Sequence, residues 1–196
     1  MTIVILSIAH ADPSRLLEDE RLETVRNLMI AGCYGSLEVP AGVDRDPIAS
    51  VLDHVTATGC RVAIVQDNPP WAPALNALQA GACDALRIVA TTDLSDLDAG
   101  LGRLLPCLDD EAVVLVIALG ERLGSFVLAS ARIPLTGLVE GVRLDDLSPT
   151  ILELAGHAAP ASMPGRSLVS GLAASAVDED EEELVRERLR GLGYIA

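Results

Sequence analysis

The chain has 196 residues and a formal net charge of −15, and half of it is hydrophobic with only 2% aromatic. That length suits one domain, whose core must be built from Leu, Val, Ile and Ala in layers of secondary structure. All 14 basic residues are Arg; the lack of Lys excludes Schiff-base chemistry, a P-loop lysine and a lysine general base, and the acidic field argues against nucleic-acid or membrane partners.

Taken in chain order, Met1 to Leu6 lacks a basic leader region, and the apolar run from Ile3 to Ile8 reads as a strand buried on both faces. Asp12-Pro13-Ser14 opens a helix with Leu16, Leu17, Leu22, Val25, Leu28 and Met29 at helical spacing, running up to Gly32. Leu37 to Pro40 is a short extended piece before a loop rich in Gly, Asp and Pro. A helix from Pro47 to Thr58 stops at Gly59, and Arg61 to Val65 reads as a second central strand.

Trp71 to Ala80 predicts a helix ended by Gly81, and Ala85 to Val89 a strand. Leu94, Leu97, Leu101, Leu104, Leu105 and Leu108 make one amphipathic helix up to Leu108. Ala112 to Leu119 is the most hydrophobic strand and belongs in mid-sheet, with Gly124 to Ser130 as a further strand. In the helix from Leu147 to Gly156, Ser148 is the expected cap, Pro149 the first helical residue, Leu147 a staple onto Leu152 and Gly156 the stop. Six consecutive acids from Asp178 to Glu183 suit the positive end of a last helix, with Arg186, Arg188 and Arg190 towards its negative end and Val185, Leu189 and Leu192 as its docking stripe. The expected organisation is one α/β domain over residues 1–176, with a mostly parallel sheet and helices on both faces, and an acidic amphipathic helix over 177–196 docked on it.

Cys33, Cys60, Cys83 and Cys107 occur singly, without a CxxC pair, and read as free thiols of a cytoplasmic protein. No apolar run reaches the roughly 18 to 20 residues of a bilayer span. Three histidines occur, His10, His54 and His157. His10 follows the first strand at its carboxyl end, where open parallel sheets place ligands. His54 lies within a helix and His157 follows a helix end, so both read as solvated or locally bonded. Asp12, Asp44, Asp46 and Asp93 fall in loops of the same edge. Together they could hold Mg²⁺ or Ca²⁺ loosely, although helix caps and turns are the readier use for such acids. A GxSxG elbow and a dinucleotide fingerprint are both missing from the sequence.

The run Val142-Arg143-Leu144-Asp145-Asp146-Leu147-Ser148-Pro149-Thr150-Ile151-Leu152-Glu153-Leu154-Ala155-Gly156, then Met163-Pro164-Gly165-Arg166-Ser167-Leu168, together with the ending Arg188-Leu189-Arg190-Gly191-Leu192-Gly193-Tyr194-Ile195, resembles the alkaline phosphatase superfamily, in particular its sulfatase and type I phosphodiesterase branch. The resemblance implies that fold without its usual insertions, and a metal-dependent hydrolytic site that this chain has lost. Where the family carries a metal-ligating Asp after its first strand, Ala9-His10 stands. Where it carries Ser-Asp-His-Gly, the chain has Ile117-Ala118-Leu119-Gly120. The family nucleophile falls on Val43 to Asp46, with Asp44 as stand-in, and Asp93 with Leu97 replaces an Asp and His pair. Catalytic residues, resident metal and cofactor are therefore not expected. The chain is expected to act as a pseudoenzyme, by binding a copy of itself, a homologue or another partner protein, or a small ligand at the carboxyl edge of the sheet. The rival is a phosphoric or sulfuric ester hydrolase with Zn, Mn or Mg in a rebuilt site of His10, Asp12, Asp44 and Asp93. In a third reading, the helix from Asp178 to Ile195 docks onto a partner.

Overall fold

A computed structural model describes residues 2–9, 12–39, 47–67, 69–90, 93–120, 122–133 and 136–170. Its strands are β1 (Ile3–Ala9), β2 (Gly32–Glu38), β3 (Val62–Val65), β4 (Ala85–Ala90), β5 (Val113–Leu119), β6 (Leu123–Ala129), β7 (Gly137–Leu138) and β8 (Val142–Arg143). Its helices are α1 (Pro13–Glu18), α2 (Glu23–Ala31), α3 (Pro47–Ala57), α4 (Trp71–Gln79), α5 (Leu94–Leu104) and α6 (Leu147–Leu154). They make an α/β fold on one eight-stranded sheet in the order β3-β4-β1-β5-β6-β2-β7, with β8 also paired to β2.

The two most hydrophobic segments lie side by side, because strands buried on both faces favour apolar residues at nearly every position, with Ser7 the one polar residue of β1. β1 pairs in parallel with β4 and β5, which fixes β5 in mid-sheet as its sequence implies. Alternate residues of β1 join two separate cores. Ile3 and Ile5 pack with Leu115, Ile117 and Phe126, with Val51 and Val55 of α3 and with Ile151 and Leu152 of α6. Leu6 and Ile8 pack with Val114 and Val116, Leu16 of α1, Val25 of α2, Trp71 of α4 and Leu97 and Leu101 of α5.

The sheet departs from the expected pattern in being mixed rather than mostly parallel. β6 runs antiparallel to both β5 and β2, since the turn between β5 and β6 is too short for the crossover that a parallel pair needs. The expected second central strand, β3, is instead an edge strand, paired among the described residues with β4 alone, and Ile64 is 54% exposed there.

The single helix expected before Gly32 is two. Asp19 accepts the backbone N–H of Arg21 at 3.1 Å and both arms of its guanidinium at 2.9 and 2.7 Å, turning the chain after α1. α2 is then restarted from outside its own sequence, because Asp98 of α5 accepts Thr24 N–H at 3.2 Å and Val25 N–H at 2.9 Å. Asp98→Ala leaves the free N–H groups of that first turn without this carboxylate and is expected to cost about 1 kcal/mol of stability in chemical denaturation. A loss indistinguishable from zero would mean water caps α2 equally well.

α2 passes directly into β2 at Gly32, so the short extended piece foreseen near Leu37 is a seven-residue strand. The helix expected up to Leu108 ends at Leu104 and tightens into a 3-10 turn over Leu105–Cys107, because Pro106 lacks the N–H an α-helix requires. Ser148 does not cap α6. The helix starts a turn earlier in a 3-10 segment over Leu144–Asp146, and Ser148 is buried inside its first turn. Residues 177–196 lie outside the described part of the chain.

At the other end of the sheet, Arg61 ties the starts of β3 and β4 together. Its backbone N–H donates to Asp84 Oδ2 at 2.8 Å, and its guanidinium meets both carboxylate oxygens at 3.1 and 2.8 Å. These bonds hold the Asp84 carboxyl at about 2, below its ordinary 3.8. A depressed carboxyl contributes stability above its unfolded value and loses that contribution as pH falls through the folded one. Asp84→Asn should therefore flatten the stability profile between about pH 4 and pH 2 and leave its shape near neutrality unchanged. An unaltered acid limb would show that the pair contributes nothing.

Candidate functional site

β1, β2, β3, β4 and β5 all run in one sense, so their carboxyl ends share one edge of the sheet. This is the edge at which α/β sheets hold their ligands. At its centre, Ile8 pairs with Ala118 and Ala9 with Leu119. Ala118 is fully buried in one core, and Leu119 is half-buried against the other. The first turn of α1 lies over the turn beyond them: Ser125 Oγ donates to Pro13 O at 2.7 Å, and Pro13 Cγ comes within 3.2 Å of where a Cβ on Gly120 would stand.

The two described acids singled out at this edge serve helix starts. Asp12 is the N-cap of α1, and its Oδ1 accepts the backbone N–H of Ser14 at 3.1 Å and the Ser14 hydroxyl at 2.9 Å. Asp93 is the N-cap of α5, and its Oδ1 accepts Asp96 N–H at 2.9 Å. Leu97, which stands where the resemblance calls for an imidazole, is fully buried in the core. His10, Asp44, Asp46 and the whole stretch from Val43 to Asp46 lie outside the described residues. Among the described residues, no group of three or more His, Cys, Asp or Glu is placed to hold a metal ion.

The motif that carries the resemblance forms a clasp beyond β2. Asp146 accepts Arg143 N–H at 2.9 Å through Oδ2 and Arg166 N–H at 2.7 Å through Oδ1. The fully buried Thr150 donates its hydroxyl to Asp146 O at 2.5 Å and accepts Leu168 N–H at 2.9 Å. Glu153 accepts the Ser170 hydroxyl at 2.6 Å, and the Ser167 and Ser170 hydroxyls hold its carboxyl below the ordinary range. An opening of about 500 Å³ lies against the clasp, with Arg143, Asp146, Arg166 and Ser167 in its lining. β8 runs parallel to β2, so Arg143 brings this opening to the same carboxyl edge.

All four cysteines are free, Cys33 and Cys83 buried and Cys107 exposed. Cys60 pairs with His157, at a Sγ to Nε2 distance of 3.9 Å, from 97 residues away in sequence. The sequence contained each residue after a helix-ending glycine and no sign that the two helices are neighbours. Among the described residues no helix is long and apolar enough to cross a membrane. No protein-family model matches the chain, and no curated protein matches it.

Proposed function

We propose that the chain is a shortened, catalytically silent relative of the alkaline phosphatase superfamily, nearest its sulfatase and type I phosphodiesterase branch, which works by binding in the cytoplasm. The reading gives it that family's core with helices on both faces, which the division of β1 residues between two cores supports. One observation carries the functional part. Ala9 and Leu119 sit side by side at the end of the two central strands, with Ala118 one residue behind. These are the positions at which the resemblance calls for metal ligands, and hydrocarbon side chains have no lone pair for a zinc, manganese or magnesium ion. Asp12 and Asp93 already serve as caps.

The place for a small ligand is the opening beside the clasp, whose volume of about 500 Å³ falls within the range of ligand sites. Arg143 and Arg166 line it beside Glu140 and Asp146, and these two guanidiniums are the groups that would meet a carboxylate, phosphate or sulfate. A partner protein or a second copy would compete for the same edge.

The test is a hydrolysis screen of the full chain against aryl phosphates, phosphodiesters and sulfate esters, with Mn²⁺, Mg²⁺ or Zn²⁺ added. The expected result is no turnover above buffer, together with a rise in melting temperature on adding millimolar inorganic phosphate or sulfate that Arg166→Ala abolishes. Turnover that disappears in Asp44→Ala would establish instead the rebuilt hydrolase of His10, Asp12, Asp44 and Asp93.

A further inference from the structure

α3 and α6 end in the same way. After α3, Gly59 N–H donates to Thr56 O at 3.0 Å and Cys60 N–H to Val55 O at 3.3 Å, around a left-handed Gly59 with φ +89°. After α6, Gly156 N–H donates to Glu153 O at 2.9 Å and His157 N–H to Leu152 O at 2.8 Å, around Gly156 with φ +78°. These are the paired bonds of a Schellman stop, and both stops need a residue that tolerates positive φ. Cys60 and His157 occupy the same position in the two motifs. Because α3 and α6 pack together in one core, the matching stops deliver a thiol and an imidazole to each other at 3.9 Å.

The surroundings suit a reactive thiol. Cys60 is half-buried rather than sealed. The Thr58 hydroxyl donates to Val55 O at 2.7 Å and lies 3.7 Å from Cys60 Sγ, and the thiol's one proton is left to the imidazole when it turns towards His157. His157 also lines a surface pocket of about 770 Å³, together with Glu153, Met163, Arg166 and Ser167. The other cysteines provide the comparison within the same molecule. Burial pushes the Cys33 thiol up to about 11 and raises that of Cys83, while the exposed Cys107 donates to the Arg103 carbonyl at 3.8 Å.

We propose that Cys60 and His157 form a thiol–disulfide exchange site that accepts a small polar disulfide. His157 Nε2 takes the proton of the Cys60 thiol, and the sulfur attacks one sulfur atom of the disulfide. The new S–S bond forms as the old one breaks. The departing thiolate takes the proton back from the imidazole, leaving a mixed disulfide on Cys60 and one molecule of free small thiol. The incoming disulfide is the oxidant, and the protein thiol is the group oxidised. Cys60 stands just before the amino end of β3; the pocket beside His157 shares Arg166 and Ser167 with the opening proposed above, but the exchange step uses only Cys60 and His157 and does not depend on that function.

The experiment exposes the full chain to oxidised glutathione at neutral pH and follows each cysteine by peptide mass mapping over time. Cys60 is expected to gain the adduct about tenfold faster than the more exposed Cys107, and His157→Asn to bring the two rates to within about twofold. Cys107 reacting as fast as Cys60 in the unaltered protein would overturn the proposal. A Cys60 rate that His157→Asn leaves unchanged would do the same. Adducts on Cys33 or Cys83 report unfolding of the variant, and the ratio in the unaltered protein then decides.

Discussion

Replacing Gly165 with Val is expected to remove at least about 3 kcal/mol of stability, enough to unfold much of a marginally stable domain at ambient temperature. The reasons are local and independent. Gly165 holds φ +88°, a conformation costly for a β-branched residue. A Cβ there would also collide with the Asp145 carbonyl and stand 2.8 Å from Asp146 N. Both atoms are backbone at the 3-10 turn that starts α6, so neither can rotate away. Gly165→Ala should show a smaller loss in the same direction. Urea denaturation of the two variants measures it, and a loss below about 1 kcal/mol for Val would show that the segment bends away freely.

Asp146→Ala carries the second largest expected effect, about 2 kcal/mol. Its carboxylate joins two backbone N–H groups, one just before α6 and one twenty residues on. Both bonds are open to solvent, which keeps the cost below that of a buried charge pair. Asp146→Asn retains one acceptor oxygen and should fall between wild type and Ala. If Asp146 belonged to a catalytic site, both substitutions would leave stability nearly untouched.

These two residues show how the sequence carries structure in this chain. The run from Val142 to Leu168 stands out for its punctuation, and what it punctuates is a fold-closing clasp, with Asp146, Thr150 and Gly165 bonded to or packed on main chain. Strands β1 and β5 were legible because nearly continuous aliphatic runs favour the interior of a sheet, while β4 was legible from its flanking aliphatics despite Arg87 in its middle. The position of β3 was not, since Arg61 to Val65 is apolar enough for a centre and only pairing partners distant in sequence decide that it lies at an edge. The break between α1 and α2 was hidden for the same reason: helical spacing continues through Leu22, while the restart comes from Asp98 on another helix. The short strands β7 and β8 have two residues each and leave no period to read.

The residues of the proposed site were legible in the sequence, and their geometry less so. Ala118 and Leu119 announce themselves as residues without lone pairs, but only the register of β1 against β5 puts Ala9 beside Leu119. Asp12 and Asp93, attractive as ligands in a linear reading, precede Pro13 and Leu94 at helix starts and cap them. The Cys60 and His157 pair needed the packing of α3 on α6, which the separate apolar stripes of the two helices do not encode.

Hydrocarbon at the carboxyl edge is proposed to leave this chain without a hydrolytic metal centre. The most direct measurement is the metal content of the full chain after dialysis from excess Zn²⁺ and Mn²⁺, taken by elemental mass spectrometry alongside its melting temperature. Retained metal is expected far below one ion per chain, with an unchanged melting temperature. Stoichiometric retention of either ion, with a melting temperature that rises on loading, would contradict that proposal.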